Sequence, residues 1–180
     1  SMSFLAASSF RPSTPTATRV VCFSAEMARI VHHLEGALEL LVNAPPPTDP
    51  VRARRRSECI EELERYVEDG IFPLNVDRPD ERVPTFVDPF GVRCAMAHLL
   101  DAFGEPDLVL EVAREANHAY VRDLALDPRF LAWLDAHGLR VEEAARIQPS
   151  YCYSVAERCF CFAVGSPHET VAEGRIVDSR

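Results

Sequence analysis

Apolar side chains recur at three- and four-residue spacing early in the chain, and this period predicts an amphipathic helix. The helix is expected to run from Ala25 to Val42, with Ser24 as its N-cap. Its predicted core positions are Met27, Ile30, Val31, Leu34, Leu38 and Leu41. Three consecutive prolines at 45–47 end the helix, because proline lacks the backbone N–H that a helix interior needs.

A second helix is predicted between the Asp49-Pro50 pair and Gly70. Aspartate is a favoured N-cap, proline fits the first helical turn, and glycine favours the position just after a helix end. The predicted core positions of this helix are Ile60, Leu63, Tyr66 and Val67. From residue 71 to residue 91 the pattern changes, because four prolines exclude a helix and allow only brief extended pieces.

Four shorter helices are predicted in the second half of the chain, each bounded by proline or glycine. One carries Cys94 and closes at Gly104, one runs from Pro106 towards His118, and the last two span residues 129–137 and 142–147. Three aromatic side chains are expected to pack in the core: Trp133, Phe130 and Tyr120.

The predicted fold is mainly α. We expect a single compact helical domain of five to six helices, with a proline-rich irregular segment and at most a minor hairpin. Residues 1–20 are expected to form a flexible arm, residues 21–164 the helical domain, and residues 165–180 a flexible tail.

Composition narrows the classes of function. The chain of 180 residues carries 28 acidic and 19 basic side chains, a net charge of −9, which argues against nucleic acid as a partner. Every basic residue is arginine, so lysine Schiff-base chemistry is excluded. No apolar run predicts a membrane span and no signal peptide is recognised, so a cytoplasmic location with reduced thiols is expected.

Cys94 is the most suggestive candidate for chemistry. The Pro89-Phe90-Gly91 break puts it in the first turn of a helix, where backbone N–H groups and the helix dipole favour a thiolate. His98 lies four residues later, and Asp88 could orient it. Cys94 with His98 as base is one hypothesis, a cysteine-nucleophile enzyme, although catalytic Cys–His pairs usually come from different elements.

A pattern around Cys94 and near the end of the helical region resembles a group of bacterial proteins with no assigned activity. In letters it is F-x-D-x-x-G-x-x-C-A, then W, then G-L-x-x-E-E-A-A-x-I-Q-P-x-Y. The residues that carry it lie within 60–152, at Phe86, Asp88, Gly91, Cys94, Ala95, Trp133, Gly138, Leu139, Glu142, Glu143, Ala144, Ala145, Ile147, Gln148, Pro149 and Tyr151. The resemblance implies domain boundaries and no activity.

Four cysteines predict a metal centre: Cys94, Cys152, Cys159 and Cys161. Four thiolates suit an iron–sulfur cluster or a closed zinc site, and the aromatic neighbours of the last three would exclude water. We rank iron–sulfur above zinc, because the Cys-x-Cys spacing is unlike that of a zinc knuckle. Buried inert thiols, or a disulfide in an exported protein, are the competing interpretations.

Other polar clusters are weaker candidates. Glu111, Glu115 and His118 share one helical face but form only one E-x-x-H motif, so we expect a solvated acidic face. His33 is expected beside the core. His33, His118 and His137 are further candidate bases for Cys94.

Four arginines form the one basic concentration in the chain: Arg52, Arg54, Arg55 and Arg56. They occupy the start of a helix, where the dipole disfavours cations. They are therefore a candidate contact for a protein partner or an anionic ligand, although a solvated arginine-rich face is the preferred interpretation. The leading prediction is a metal-centre protein with a redox, sensing or catalytic role. The alternatives are the cysteine enzyme and a non-catalytic interaction module.

Overall fold

Seven helices follow one another in the part of the chain that the structure describes, where the β-structure consists of two isolated bridges. The structure is a computed structural model and describes the backbone of residues 17–152 and the side chains of residues 25–152. The helices are α1 (Ala17–Asn43), α2 (Pro50–Asp69), α3 (Ala95–Ala102), α4 (Pro106–Glu115), α5 (Val121–Leu124), α6 (Pro128–Ala136) and α7 (Val141–Ile147). The predicted mainly helical fold is confirmed.

Helix α1 buries one side against α2 and α7. Ile30, Leu34 and Leu41 are almost fully buried, and the other three predicted core positions pack partly buried against them, as the apolar period predicts. The helix begins earlier than predicted. Because it starts at Ala17, Ser24 lies inside it and is not its N-cap.

Helix α2 has the predicted boundaries. The Asp49 side chain accepts a hydrogen bond from the Arg52 N–H, and Gly70 follows the last turn at a positive φ of 63°. The buried face contains the predicted Leu63 and Tyr66. It also contains Arg56, which the helical period alone does not predict.

Helix α3 is the centre of the core. Five of its eight residues have no exposed surface: Ala95, Met96, Ala97, Leu99 and Leu100. It packs against α2, α4 and α7, and a helix that is apolar on most sides is stable only when it is covered in this way.

The irregular segment between α2 and α3 is held by side chains of other elements. Asn117, which follows α4, accepts from the Val87 N–H and donates to the Val87 carbonyl, both at 2.9 Å. Its own carbonyl accepts from the Phe86 N–H at 2.8 Å. The two bridges, Val87 with Arg93 and Val83 with Tyr151, complete the brief extended pieces that the prolines allow.

Helices α4, α6 and α7 differ from the prediction at their ends, and α5 was not predicted as a helix. Helix α4 stops at Glu115, before His118, and α5 is a single turn of helix. The Asp127 side chain caps helix α6. Phe130 and Trp133 are buried as expected, but Tyr120 is 54% exposed and does not pack in the core.

Only one of the two predicted domain boundaries falls among the described residues. The boundary at residue 20 falls inside α1, and the boundary at residue 164 lies outside the described residues. Among the described helices, none combines the length and the apolar composition of a membrane span.

Candidate functional site

The segment before α3 turns around the Asp88 side chain. Its Oδ1 accepts from the N–H groups of Phe90 and Val92, each at 2.9 Å, and its Oδ2 accepts from the Leu74 N–H at 3.1 Å. Gly91 completes the turn at a φ of 83°. In the described structure these bonds go to the backbone, so Asp88 holds the turn rather than orienting a catalytic pair.

Cys94 is the N-cap of α3 and not a residue of its first turn. Its Sγ accepts from the Ala97 N–H at 3.4 Å, and the residue has no exposed surface. Burial raises the pKa of Cys94 to about 12, against which the backbone hydrogen bonds from Ala97 and Met96 are too weak. The prediction that the helix start favours the thiolate of Cys94 is therefore wrong, because desolvation outweighs the backbone hydrogen bonds.

His98 bonds to α2 instead of pairing with Cys94. Its Nε2 lies 2.6 Å from Oε1 of Glu62, and its ring lies 5.0 Å from that of Tyr66. Arg65 hydrogen-bonds Glu62 from the other side and lowers the pKa of that carboxyl, an effect to which His98 adds. His98 is therefore the link between α3 and an ion-paired carboxylate of α2.

The described cysteines are in different states. Cys59 and Cys94 are buried free thiols, whereas Cys152 is disulfide-bonded. Cys159 and Cys161 lie outside the described residues. Within residues 25–152, no group of three or more His, Cys, Asp or Glu side chains is arranged to hold a metal ion.

The weaker candidates are also dispersed. Glu111 pairs with Arg129 at 2.8 Å, and Glu115 pairs with the neighbouring Arg114. His118 uses its Nδ1 to donate to the Pro84 carbonyl at 2.8 Å. The structure does not gather these side chains into one site. His33 is only partly buried on α1, beside the core as predicted.

The four arginines at the start of α2 have separate roles. Arg52 pairs with Asp135 at 2.6 Å, and Arg54 pairs with Glu58 at 3.4 Å. Arg56 is buried, so it is not available to a partner. Arg55 is exposed and has no ion pair among the described residues.

The buried Arg56 joins three parts of the fold. Its guanidinium donates to both carboxylate oxygens of Glu143, at 2.8 and 3.0 Å, and to the carbonyls of Leu41 and Gly138. Burial would raise the pKa of Glu143, but the hydrogen bonds from Arg56 and Arg140 outweigh it and hold the pKa at about 2. This arginine is structural.

An open cleft of about 460 Å³ lies between α2, α6 and the turn after α3. It is lined by three rings and four charged groups: Phe103, Trp133, His137, Arg55, Arg129, Glu58 and Glu105. The volume is in the range of small-molecule sites. Two other clefts, of about 370 and 340 Å³, border the Arg56–Glu143 pair and contain no aromatic side chain.

The rings of this aromatic cleft pack on one another at tilted angles, and Trp133 and His137 are buried while Phe103 is partly exposed. The His137 ring lies 4.4 Å from that of Trp133, with 30° between their planes, and 5.5 Å from that of Phe103. His137 donates from Nδ1 to the Trp133 carbonyl at 2.8 Å, which leaves the Nε2 lone pair in the neutral ring. Burial lowers the pKa of His137, so this ring is neutral at pH 7.

The sequence does not reveal the aromatic cleft, because each of its residues has a separate explanation. Trp133 and Phe103 have the pattern of core residues, and Arg55 belonged to a run of four similar arginines. The spacing of four between Trp133 and His137 was the available sign that two rings share a helical face. Arg55 and Glu105 reach the same cleft only through the packing of α2 against α6 and the α3–α4 turn.

The aromatic cleft is formed by two helices and a turn. Its residues come from α2, α6 and the turn after α3, all among the described elements. Comparison with known proteins finds no matching family model, no matching curated protein and no matching solved structure.

Proposed function

We propose that the protein is a non-catalytic binding module that holds a small aromatic molecule in the aromatic cleft between α2 and α6. The observation that supports it is the cluster of three neighbouring rings, Phe103, His137 and Trp133, that line an open cleft of about 460 Å³. Aromatic faces bind flat apolar rings by offset or edge-to-face stacking. Charged side chains on the rim would fix the orientation of such a ligand.

The state of Cys94 makes a cysteine nucleophile the weaker alternative. A thiol with no exposed surface and a pKa of about 12 is protonated at neutral pH and cannot reach a substrate without local opening. Its sulfur is also engaged as the cap of α3. A catalytic role for Cys94 and His98 stays a prediction.

The metal centre predicted from Cys94, Cys152, Cys159 and Cys161 also stays a prediction. Such a centre needs thiolates, whereas Cys152 is disulfide-bonded and Cys94 is a buried protonated thiol. These two residues do not fit the site in their described state. Reductive anaerobic purification, metal analysis and a visible spectrum test the idea, and a colourless, metal-free protein would count against it.

The binding proposal has a direct optical assay. Trp133 is the single tryptophan of the chain, so its fluorescence reports on this cleft. We expect at least one of four probes at millimolar concentration to change that fluorescence saturably: phenol, phenylpropionate, phenethylamine and L-phenylalanine. The same probe should shift the imidazole proton resonances of His137.

A blocked cleft provides the control. Ala132 lines the cleft on an exposed position of α6, so Ala132→Phe should abolish the response. The neighbouring Leu131 is also exposed and does not line the cleft, so Leu131→Phe should respond like the wild type. Absence of a response to all four probes in the wild type, or an equal response in Ala132→Phe, would overturn the proposal.

A further inference from the structure

One cation at the aromatic cleft lacks an ion-pair partner among the described residues. Arg129, on the same cleft, is neutralised by Asp127 and Glu111, at 2.9 and 2.8 Å. Arg55 has no ion pair among the described residues and is exposed on α2. Its guanidinium is therefore free to bind a carboxylate through two parallel hydrogen bonds.

One carboxylate at the cleft also lacks an ion pair among the described residues. Glu58 is paired with Arg54 at 3.4 Å. Glu105 is half-buried and has no ion pair among the described residues. It is the N-cap residue of α4, yet its carboxylate makes no capping hydrogen bond, although carboxylates are favourable at that position. The side chain thus remains available.

Both groups lie close enough to His137 to act on it. Besides burial, the charge of Arg55 contributes to lowering the pKa of the imidazole, while Glu58 and Glu105 act in the opposite direction. The Arg55 guanidinium and the Glu105 carboxylate therefore face the same cleft as the three rings. The neutral imidazole does not repel a cationic group of a ligand.

From this arrangement we infer that the ligand of the aromatic cleft is a zwitterion with an aromatic ring, that is, an aromatic amino acid. Its ring packs against Phe103, the least buried of the three rings, its carboxylate binds Arg55, and its ammonium binds Glu105. The inference rests on the proposed binding function. A dianion does not fit, because among the described residues the cleft offers one cation without an ion pair and also a carboxylate without one.

A charge series tests the inference on the full chain. L-phenylalanine has both charges, phenylpropionate lacks the ammonium, phenethylamine lacks the carboxylate, and phenol has neither. Calorimetry and Trp133 fluorescence should give L-phenylalanine the lowest dissociation constant. Each singly charged probe should bind about tenfold more weakly, since one charged hydrogen-bonded contact is lost.

Two variants assign the charges. In Arg55→Gln, L-phenylalanine should bind no better than phenethylamine, and in Glu105→Gln it should bind no better than phenylpropionate. Matched controls are Arg65→Gln on α2 and Glu115→Gln on α4, which remove the same charges away from the cleft and should keep the wild-type ranking.

The outcomes separate the two proposals. If phenol or a singly charged probe binds as tightly as L-phenylalanine, the zwitterion inference fails and the binding proposal stands. The inference also fails if either charge variant keeps the wild-type preference. If no probe binds, both fail.

Discussion

Cys94 shows that a helix start does not by itself make a thiol acidic. The sulfur accepts a backbone N–H of the first turn of α3, which favours the thiolate, but the residue has no contact with solvent. The phenols of Tyr66 and Tyr151 lie nearby, and burial raises the pKa of each. The surroundings therefore favour an uncharged sulfur.

Thiol labelling should reflect this burial. We expect an alkylating reagent to modify native Cys94 slowly at mildly acidic and neutral pH, because its thiolate is scarce and inaccessible. Cys59, which is also buried with a pKa of about 12, is the internal comparison and should react as slowly. Mass spectrometry of the labelled peptides measures both rates. Fast, selective labelling of Cys94 would instead favour the nucleophile alternative.

The pH dependence of stability should contain a term from His137. Burial lowers its folded-state pKa below the ordinary 6.5, so the unfolded chain binds a proton more readily. The stabilisation is complete above pH 6.5 and is lost as the pH falls through the window below it. Urea unfolding of wild type and His137→Phe should show a steeper loss on acidification for the wild type. Parallel curves would contradict this expectation.

At the scale of elements, Gly138 fixes how the α6–α7 turn meets the α1–α2 connector. It has a φ of 62°, and an added Cβ would lie 2.6 Å from Cγ of Pro47 and 3.0 Å from the Arg52 carbonyl oxygen. Gly70 has nearly the same φ, 63°, but its nearest such atom is 4.0 Å away. The two glycines therefore separate conformational strain from steric overlap.

Alanine substitution should distinguish these two glycines. Gly70→Ala should cost about 1 kcal/mol of unfolding free energy, for the left-handed backbone alone. Gly138→Ala should cost about 2 kcal/mol more, because Pro47 or the backbone of Arg52 must shift. Urea denaturation measures both values, and equal costs would show that the turn adjusts freely.

The Arg56–Glu143 pair should contribute strongly to stability because both side chains are buried. Arg56→Met should lower the unfolding free energy by about 3–5 kcal/mol, since it leaves the Glu143 carboxylate buried without that partner. The double variant Arg56→Met/Glu143→Leu should lose less, since no buried charge remains. The exposed Arg54 is the matched control, and Arg54→Met should change stability by about 0.5 kcal/mol or less.

The sequence predicted best those helices whose ends are set by a neighbouring capping side chain or glycine. Asp49 and Asp127 cap their own helices, and Gly70 and Gly138 adopt positive φ values directly after a helix or turn. The burial of Arg56 was not predictable in this way, because its partner lies 87 residues away. The helix period predicts which face is covered but not which charges are paired there.

At the scale of the whole molecule, the resemblance pattern describes architecture. Asp88 and Gly91 make the turn before α3, Cys94 caps that helix, and Glu143 accepts the buried arginine. Tyr151 bridges back to Val83, which ties the end of the described chain to the irregular segment. These residues stabilise the fold, and among the residues of the pattern Trp133 also lines the aromatic cleft.

The aromatic cleft was beyond prediction for a related reason. Its charged side chains come from α2, from the turn after α3 and from α6. Its aromatic rings come from that turn and from the end of α6. Each residue has a common alternative explanation on its own, as a core ring or a solvated charge. Only the packing of three elements brings Arg55 and Glu105 to the same cleft.

The side chain of Asn117 has a consequence for the motions of the chain. It hydrogen-bonds both the N–H and the carbonyl of Val87, as an adjacent β-strand would. The amide protons of Phe86 and Val87 should therefore exchange with deuterated solvent as slowly as those of α3, although they lie outside any helix. In Asn117→Asp, which cannot donate to the Val87 carbonyl, both protons should exchange faster. Fast exchange in the wild type would show that this part of the chain opens independently of the core.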